Sequence, residues 1–309
     1  MSMVLLGGNG FLGRHIAIRA VAEGHYVTIV SRSSEVDFFA EHAPGSRYMD
    51  LASYSGPAGT ELIGGAQTIV YLIGRSVPST YFNSPISESR RNLVPGFEEL
   101  LRISEINPSA NLVYISSGGA VYGAGSDAPI KEEASLRPIS PYGFAKVASE
   151  QFLHFLGARY RQRYAILRVA NAVGRWHRNP QQGLVPAVVR AIREDRAIPL
   201  YGSGQQVRDY VDADDVAGAV LAIETASSPE DPVWNVGSGS GHTVRHVIDT
   251  VAAAVGSTPR LEARPARIFD VEKSILDIEK MKRDTGWTPL HSFSDSIERA
   301  ARFYMLEDA

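Results

Sequence analysis

The run Gly7-Gly8-Asn9-Gly10-Phe11-Leu12-Gly13 constrains this chain more than any other stretch, because it stands where an apolar strand must turn into a helix. Met3-Val4-Leu5-Leu6 ahead of it is a short buried-strand pattern, and Ile16, Ala17, Ala20 and Val21 behind it recur at helical spacing. Glycines at these intervals allow a tight turn, a close approach of the backbone to a pyrophosphate, and direct contact between helix and strand. The helix N-terminus adds free N–H groups and the positive end of its dipole. Gly7, Gly10, Phe11, Leu12 and Gly13 are therefore the first candidates for a dinucleotide cradle.

The same alternation continues downstream. Tyr26 to Val30 is a second strand, ending at Ser31-Arg32, and this end bears on cofactor choice. An acid there grips the ribose hydroxyls of NAD, whereas an arginine neutralises the 2′-phosphate of NADP. Ser31 and Arg32 incline the expectation toward NADP, with Glu35 and Asp37 left as acids that could still reach a ribose. A third strand ends at Asp50-Leu51, and a fourth runs from Thr68 to Ile73 through Leu72. A helix is expected from Asn92 to Ile106, stopped by Asn107-Pro108. Leu112 to Ile115 is a fifth strand, ending at Ser116-Ser117-Gly118-Gly119, and Tyr164 to Val169 is a sixth. This order predicts an α/β fold with a doubly wound parallel Rossmann sheet and ligands along the carboxyl ends of its strands.

Regularity falls away between Gly174 and Gly204, which is rich in Gly, Pro, Asn and Gln around one helix, Val185 to Arg193. Further helices are expected at Asp212 to Thr225 and Val244 to Val255, with a strand at Pro232 to Gly237. The expected division is a dinucleotide-binding domain at 1–173, rejoined by about 205–239, and a smaller interwoven α/β lobe at 174–204 and 240–309 for the substrate.

Composition narrows the chemistry. A chain of 309 residues, 44% hydrophobic, can bury a full core, and a net charge of −3 gives no reason to expect nucleic acid or an anionic membrane surface. The absence of cysteine removes disulfides, thiol nucleophiles and thiolate metal sites. No run approaches the ~18 apolar residues of a membrane span, so a cytoplasmic protein is expected. His242 and His246 stand four apart, but with no third ligand they read as exposed helix surface, and no metal is expected.

Tyr142 and Lys146 also stand four apart, at the start of a helix opened by Ser140-Pro141. At that spacing the two side chains share a face, and an ammonium beside a phenol favours the phenolate. The lysine can also hold a nicotinamide ribose, which makes the pair a candidate proton-transfer unit.

With these residues in this order the chain resembles the extended short-chain dehydrogenase/reductase family of nucleotide-sugar epimerases, dehydratases and reductases, nearest its UDP-glucose 4-epimerase-like branch. The resemblance is carried by Gly7-x-x-Gly10-x-x-Gly13, Asp50-Leu51, Asn92, Ser116 to Gly123, Ser140-Pro141-Tyr142-x-x-x-Lys146, Leu167-Arg168-x-x-Asn171, Arg208-Asp209-Tyr210-Val211 and Asn235 to Gly239. It implies that Tyr142 takes the proton of the sugar 4-hydroxyl while hydride passes to the nicotinamide, and that the resulting 4-keto sugar turns over and is reduced from its other face. It implies that Asp50 contacts the adenine, with Leu51 and Leu72 beside the cofactor. Asn171 would hold the nucleotide-sugar, Arg208 and Arg267 would clamp its diphosphate, and Ser274 would gate the sugar pocket. A homodimer through the helices after Asn92 and Tyr142, and a place in cell-surface polysaccharide synthesis, are further implications.

The departures are equally informative. The family's catalytic Ser or Thr falls at Gly118, which leaves Ser117 as first candidate for the missing hydroxyl and Ser116 as second. Gly119 and Ala120 replace the acids that dehydratases and decarboxylases need, and the fucose-synthase type relies on a cysteine that this chain lacks. What stays open is 4-epimerisation, reduction of a nucleotide-4-keto-sugar by NADPH, or a catalytically idle NAD(P)-binding sensor.

Overall fold

Apolar runs bounded by Gly, Asn and Asp become strands, as the pattern predicts. The structure, a computed structural model, describes residues 1–32, 35–74, 85–123, 129–177, 182–226, 231–266 and 271–306. Its strands in chain order are β1 (Ser2–Leu6), β2 (Tyr26–Ser31), β3 (Arg47–Asp50), β4 (Thr68–Tyr71), β5 (Asn111–Ser117), β6 (Tyr164–Val169), β7 (Asn171–Val173), β8 (Ile198–Tyr201), β9 (Val207–Asp212), β10 (Val233–Val236), β11 (Gly241–Thr243), β12 (Leu261–Arg264) and β13 (Lys273–Ser274).

Seven of them form one parallel sheet in the order β3-β2-β1-β4-β5-β6-β10. This is the doubly wound α/β arrangement, and its order reverses between β1 and β4. A crevice opens at that reversal, where the chain leaves the sheet in opposite directions. The strands are buried on both faces. Met3, Leu5, Ile29, Val113 and Leu167 pack toward the helices Phe11–Ala22 and Ala213–Ala222, which add Ile16, Ala17, Val216 and Val220. Val4, Leu6, Ile69, Leu112 and Ile166 pack the other way, against the helices Pro57–Gly64, Pro85–Ile106 and Pro141–Tyr160 through Ile63, Leu100, Ile103, Leu153 and Leu156.

The rest of the chain builds a second layer over the strand ends. β9 pairs with β7, β11 and β13, and β8 pairs with β12. Here the helices Leu184–Arg193, Val244–Ala254 and Phe293–Leu306 enclose a separate apolar core of Val188, Val189, Val247, Ile248, Ile297 and Ala301. Residues 233–236 return to the large sheet, whereas 207–212 stay outside it. No helix among the described residues is long and apolar enough to cross a membrane.

One polar cluster sits inside this apolar framework. Arg168 on β6 and Glu150 on the helix Pro141–Tyr160 are both buried, with Arg168 Nη2 2.8 Å from Glu150 Oε2. Arg168 Nη1 donates to the Tyr122 hydroxyl and to the Glu132 carbonyl, each at 2.9 Å. The Tyr122 hydroxyl donates in turn to Asn235 Oδ1 on β10 at 2.7 Å, and the Ser116 hydroxyl on β5 donates to Glu150. Removing one partner would strand a buried charge. Glu150→Ala is expected to lower the unfolding free energy by about 3–5 kcal/mol, read from the midpoint of urea denaturation; an unchanged midpoint would show that the pair does not hold these elements together.

Candidate active site

The carboxyl ends of β1, β4, β5 and β6 open onto a cavity of about 650 Å³. The glycine run forms one wall. Gly7 has φ +85°, and a Cβ there would stand 3.2 Å from the backbone of Leu72 and Ile73. A Cβ on Gly13 would stand 2.4 Å from the Gly8 carbonyl oxygen, so the helix Phe11–Ala22 rests directly on the loop that feeds it. No side chain caps this helix, which leaves its first-turn N–H groups to whatever occupies the cavity. Gly7, Gly10, Phe11, Leu12, Gly13 and Leu72 all line it, and the backbone cradle fits a pyrophosphate.

Across the cavity, Ser140 caps the helix Pro141–Tyr160, its hydroxyl accepting from the Gly143 N–H at 3.1 Å. The first turns therefore present Tyr142 and Lys146 to the cavity together. Lys146 Nζ donates to the Ile115 carbonyl at 2.7 Å, and it lies 4.8 Å from the Tyr114 ring centre and 5.9 Å from that of Tyr142. The ammonium is thus tethered to β5 beside the phenol.

The two serines at the end of β5 separate cleanly. Both line the cavity, but Ser116 is 3% exposed and its hydroxyl is engaged by Glu150, whereas Ser117 neither bonds Glu150 nor caps the short helix Gly118–Val121. Gly118 has no room for a side chain. A Cβ there would stand 2.5 Å from Leu276 Cδ1 and 3.0 Å from the Arg168 carbonyl oxygen, so a buried leucine fills the place where a hydroxyl is expected.

On the far side Asn171 lines the cavity and donates from Nδ2 to the Asp209 carbonyl at 3.0 Å. Burial pushes the Asp209 carboxyl up, against hydrogen bonds from Ser238, Leu276 and Gly239 that favour its charged form. Arg208 and Ser274 are direct partners across β9 and β13, outside the cavity lining. Arg267 lies outside the described residues. Near Asn171, the helix Leu184–Arg193 starts at Gly183 with no side-chain cap, and Gly183, Leu184 and Val185 line the wall.

At the opposite end Ser31 and Asp50 are partners across β2 and β3. Asp50 caps the helix Leu51–Tyr54 by accepting from the N–H groups of Ala52 and Ser53, and the Ser53 hydroxyl bonded to it holds its carboxyl below the ordinary range. Ser31, Arg32, Asp50 and Leu51 stand outside the lining, and the Arg32 side chain is exposed.

Sequence reasoning missed the strap at 174–177 and the buried arginine of the glycine helix. His177 stacks on Phe11 with ring centres 4.5 Å apart, and burial keeps its imidazole below the usual histidine range. Trp176, at φ +65°, packs among His15, Phe38 and Phe303. Arg14 lines the cavity together with Glu35. The only signal was two aromatic residues inside a stretch otherwise made of turn formers.

Residues 3–237 match the model of the NAD dependent epimerase/dehydratase family. The UDP-glucose 4-epimerase of Mycolicibacterium smegmatis is 27% identical over 98% of this chain and 98% of its own. Among solved structures, a UDP-glucose 4-epimerase of Thermotoga maritima with UDP-glucose is similar at TM-score 0.85 and 26% identity, over 98% of both chains. The Thermus thermophilus UDP-glucose 4-epimerase in complex with NAD gives TM-score 0.83 and 26% identity, over 98% of this chain and 99% of that one. With the family model covering most of its length and the cradle, the Tyr142–Lys146 pair and the sheet order in place, the chain belongs to the NAD dependent epimerase/dehydratase family.

Proposed function

We propose that this protein is a nucleotide-sugar 4-epimerase, acting on a UDP-hexose or UDP-N-acetylhexosamine with NAD as its cofactor. The observation that carries the reading is the convergence of Tyr142, Lys146 and Ser117 on one cavity that runs from the glycine cradle to Asn171 and the uncapped helix at Leu184. The relatives named UDP-glucose 4-epimerases, one with UDP-glucose and one with NAD, support it.

In this mechanism Tyr142 acts as the phenolate, which the Lys146 ammonium favours, and becomes the neutral phenol on accepting the proton of the sugar 4-hydroxyl. Ser117 donates a hydrogen bond to the same sugar oxygen. A bound nicotinamide supplies the hydride acceptor and donor for C4. Once the 4-keto sugar has turned its other face, Tyr142 returns the proton to the 4-oxygen. The helix N-terminus at Leu184 and Asn171 would hold the nucleotide-sugar, and the family resemblance assigns Arg208 and Arg267 to its diphosphate and Ser274 to the sugar pocket.

NAD is favoured over the NADP expected from Ser31-Arg32 because Arg32 is exposed and stands away from the cavity. For the domains the proposal is that 1–173 and about 205–239 serve the dinucleotide and 174–204 and 240–309 the sugar nucleotide, although the strands at 171–173 and 207–212 lie outside the large sheet. We place the enzyme in the cytoplasm, in a route to surface polysaccharide, as a homodimer. Support for the dimer is the apolar face of the helices Pro85–Ile106 and Pro141–Tyr160, where Ile86, Val94, Phe144 and Phe155 are each at least half exposed.

Three outcomes follow. Incubated with UDP-glucose or UDP-N-acetylglucosamine and NAD, the protein forms the 4-epimer by NMR, and Tyr142→Phe lowers that rate about 10²–10⁴-fold while dinucleotide affinity holds; consumption of NADPH with a 4-keto sugar and no epimer would establish a reductase instead. Ser117→Ala lowers kcat about 10²-fold or more, whereas Gly118→Ser, meant to restore the family hydroxyl, costs about 1–3 kcal/mol of stability through its clash with Leu276 and recovers no rate in the Ser117→Ala background. Phe144→Glu with Phe155→Glu converts a dimer to a monomer in sedimentation; a wild type that is already monomeric rules the dimer out.

A further inference from the structure

We infer that the Arg14–Glu35 ion pair, and not Ser31-Arg32, sets the choice between NAD and NADP. This deepens the dinucleotide reading above and rests on it. Arg14 follows the last glycine of the cradle and is only 2% exposed, yet it carries a permanent charge. Its guanidinium is fixed from three directions. Nε donates to the Asn9 carbonyl at 3.1 Å and Nη2 to Asn9 Oδ1 at 2.9 Å, both within the glycine run. Its carbon lies 4.1 Å above the Phe38 ring centre, and Nη2 also pairs with Glu35.

A buried guanidinium demands a counter-charge, so Arg14 holds the Glu35 carboxylate against the rim of the cradle. Glu35 is partly exposed and lines the same cavity as Gly10 and Gly13. It stands on the β2 side of the pyrophosphate site, four residues beyond Ser31, where the adenosine half of a dinucleotide must run. A ribose diol can donate to that carboxylate. A 2′-phosphate placed there meets like charge, and the Arg14 fork that could neutralise it is already turned to Asn9 and Glu35. The acid that β2 lacks at Ser31 is thus supplied from the start of the next helix, and Arg14 is its positioning residue.

The test is a fluorescence titration of the full-length protein with NADH and NADPH, comparing wild type with Glu35→Gln, Arg14→Lys and Arg32→Ala, each checked for native circular dichroism. Wild type should bind NADH at least about tenfold more tightly than NADPH, and Glu35→Gln should shrink that ratio about tenfold or more. Arg14→Lys, which keeps the charge and loses the fork, should move the ratio the same way, while Arg32→Ala leaves it unchanged. A ratio that follows Arg32, or one indifferent to Glu35, overturns the inference and leaves dinucleotide binding intact. Failure of wild type to bind either dinucleotide overturns the cofactor reading itself. General loosening of the fold would weaken both ligands alike, so the ratio separates a positioning role from a structural one.

Discussion

The arrangement of the site depends on the buried Glu150–Arg168 ion pair. Tyr142, Lys146 and Glu150 are spaced four apart, so they lie along one face of the helix Pro141–Tyr160. Anchoring Glu150 to Arg168 on β6 and to Ser116 on β5 therefore fixes the rotation of that face above both strands. Apolar packing through Leu153 and Leu156 supplies the attraction but little direction, since one aliphatic contact resembles the next after a small slide. A bidentate charged contact tolerates no such slide. Through Tyr122 and Asn235 the same cluster reaches β10, so three adjacent strands and the helix share one set of coordinates.

The position of the hydroxyl follows from this. With Ser116 drawn inward to Glu150, strand alternation turns its neighbour Ser117 toward the cavity. The residue after it meets the Arg168 backbone and Leu276, and only glycine fits. Leu276 is itself held by its N–H bond to Asp209 at 3.2 Å, and the Asp209 carbonyl receives Asn171. Asp209, through its buried carboxylate on one side and its backbone carbonyl on the other, therefore links the residue that excludes a side chain at Gly118 to the residue proposed to hold the sugar nucleotide.

Local chemistry made most of the fold legible. Four- to seven-residue apolar runs between turn formers pointed to a doubly wound parallel sheet, because strands buried on both faces leave a clear mark, while the spatial order of the strands came from the structure. The ends of elements were less legible: the helix expected from Asn92 begins at Pro85, and β4 stops at Tyr71 rather than Ile73. What failed outright depends on distant partners. His242 and His246 look helical by spacing, and His246 is exposed on the helix Val244–Ala254, but His242 lies on β11 and both rings stack on Phe293. What distinguishes Ser116 from Ser117 is the bond from Ser116 to Glu150, and what excludes a side chain at Gly118 is Leu276, some 160 residues away in the chain. Glu35 was visible as an acid near β2, but nothing in the local pattern singled out Arg14, its partner.

The two ends of the cavity are built from different materials, and the difference suits a reaction in which one ligand stays while the other turns. The dinucleotide end is backbone packed on backbone: a methyl at Gly13 would collide with Gly8, and one at Gly7 with the end of β4. Such contacts cannot yield without moving a parallel sheet that is buried on both faces. The sugar end is walled by the start of the helix at Leu184 and by Asn171, and its partner strands are three to six residues long. A 4-keto sugar must rotate there between two half-reactions while its nucleotide stays bound. In the proposed mechanism the uncapped helix N-terminus at Leu184 would hold the diphosphate through electrostatics rather than close shape, which leaves the hexose free to turn.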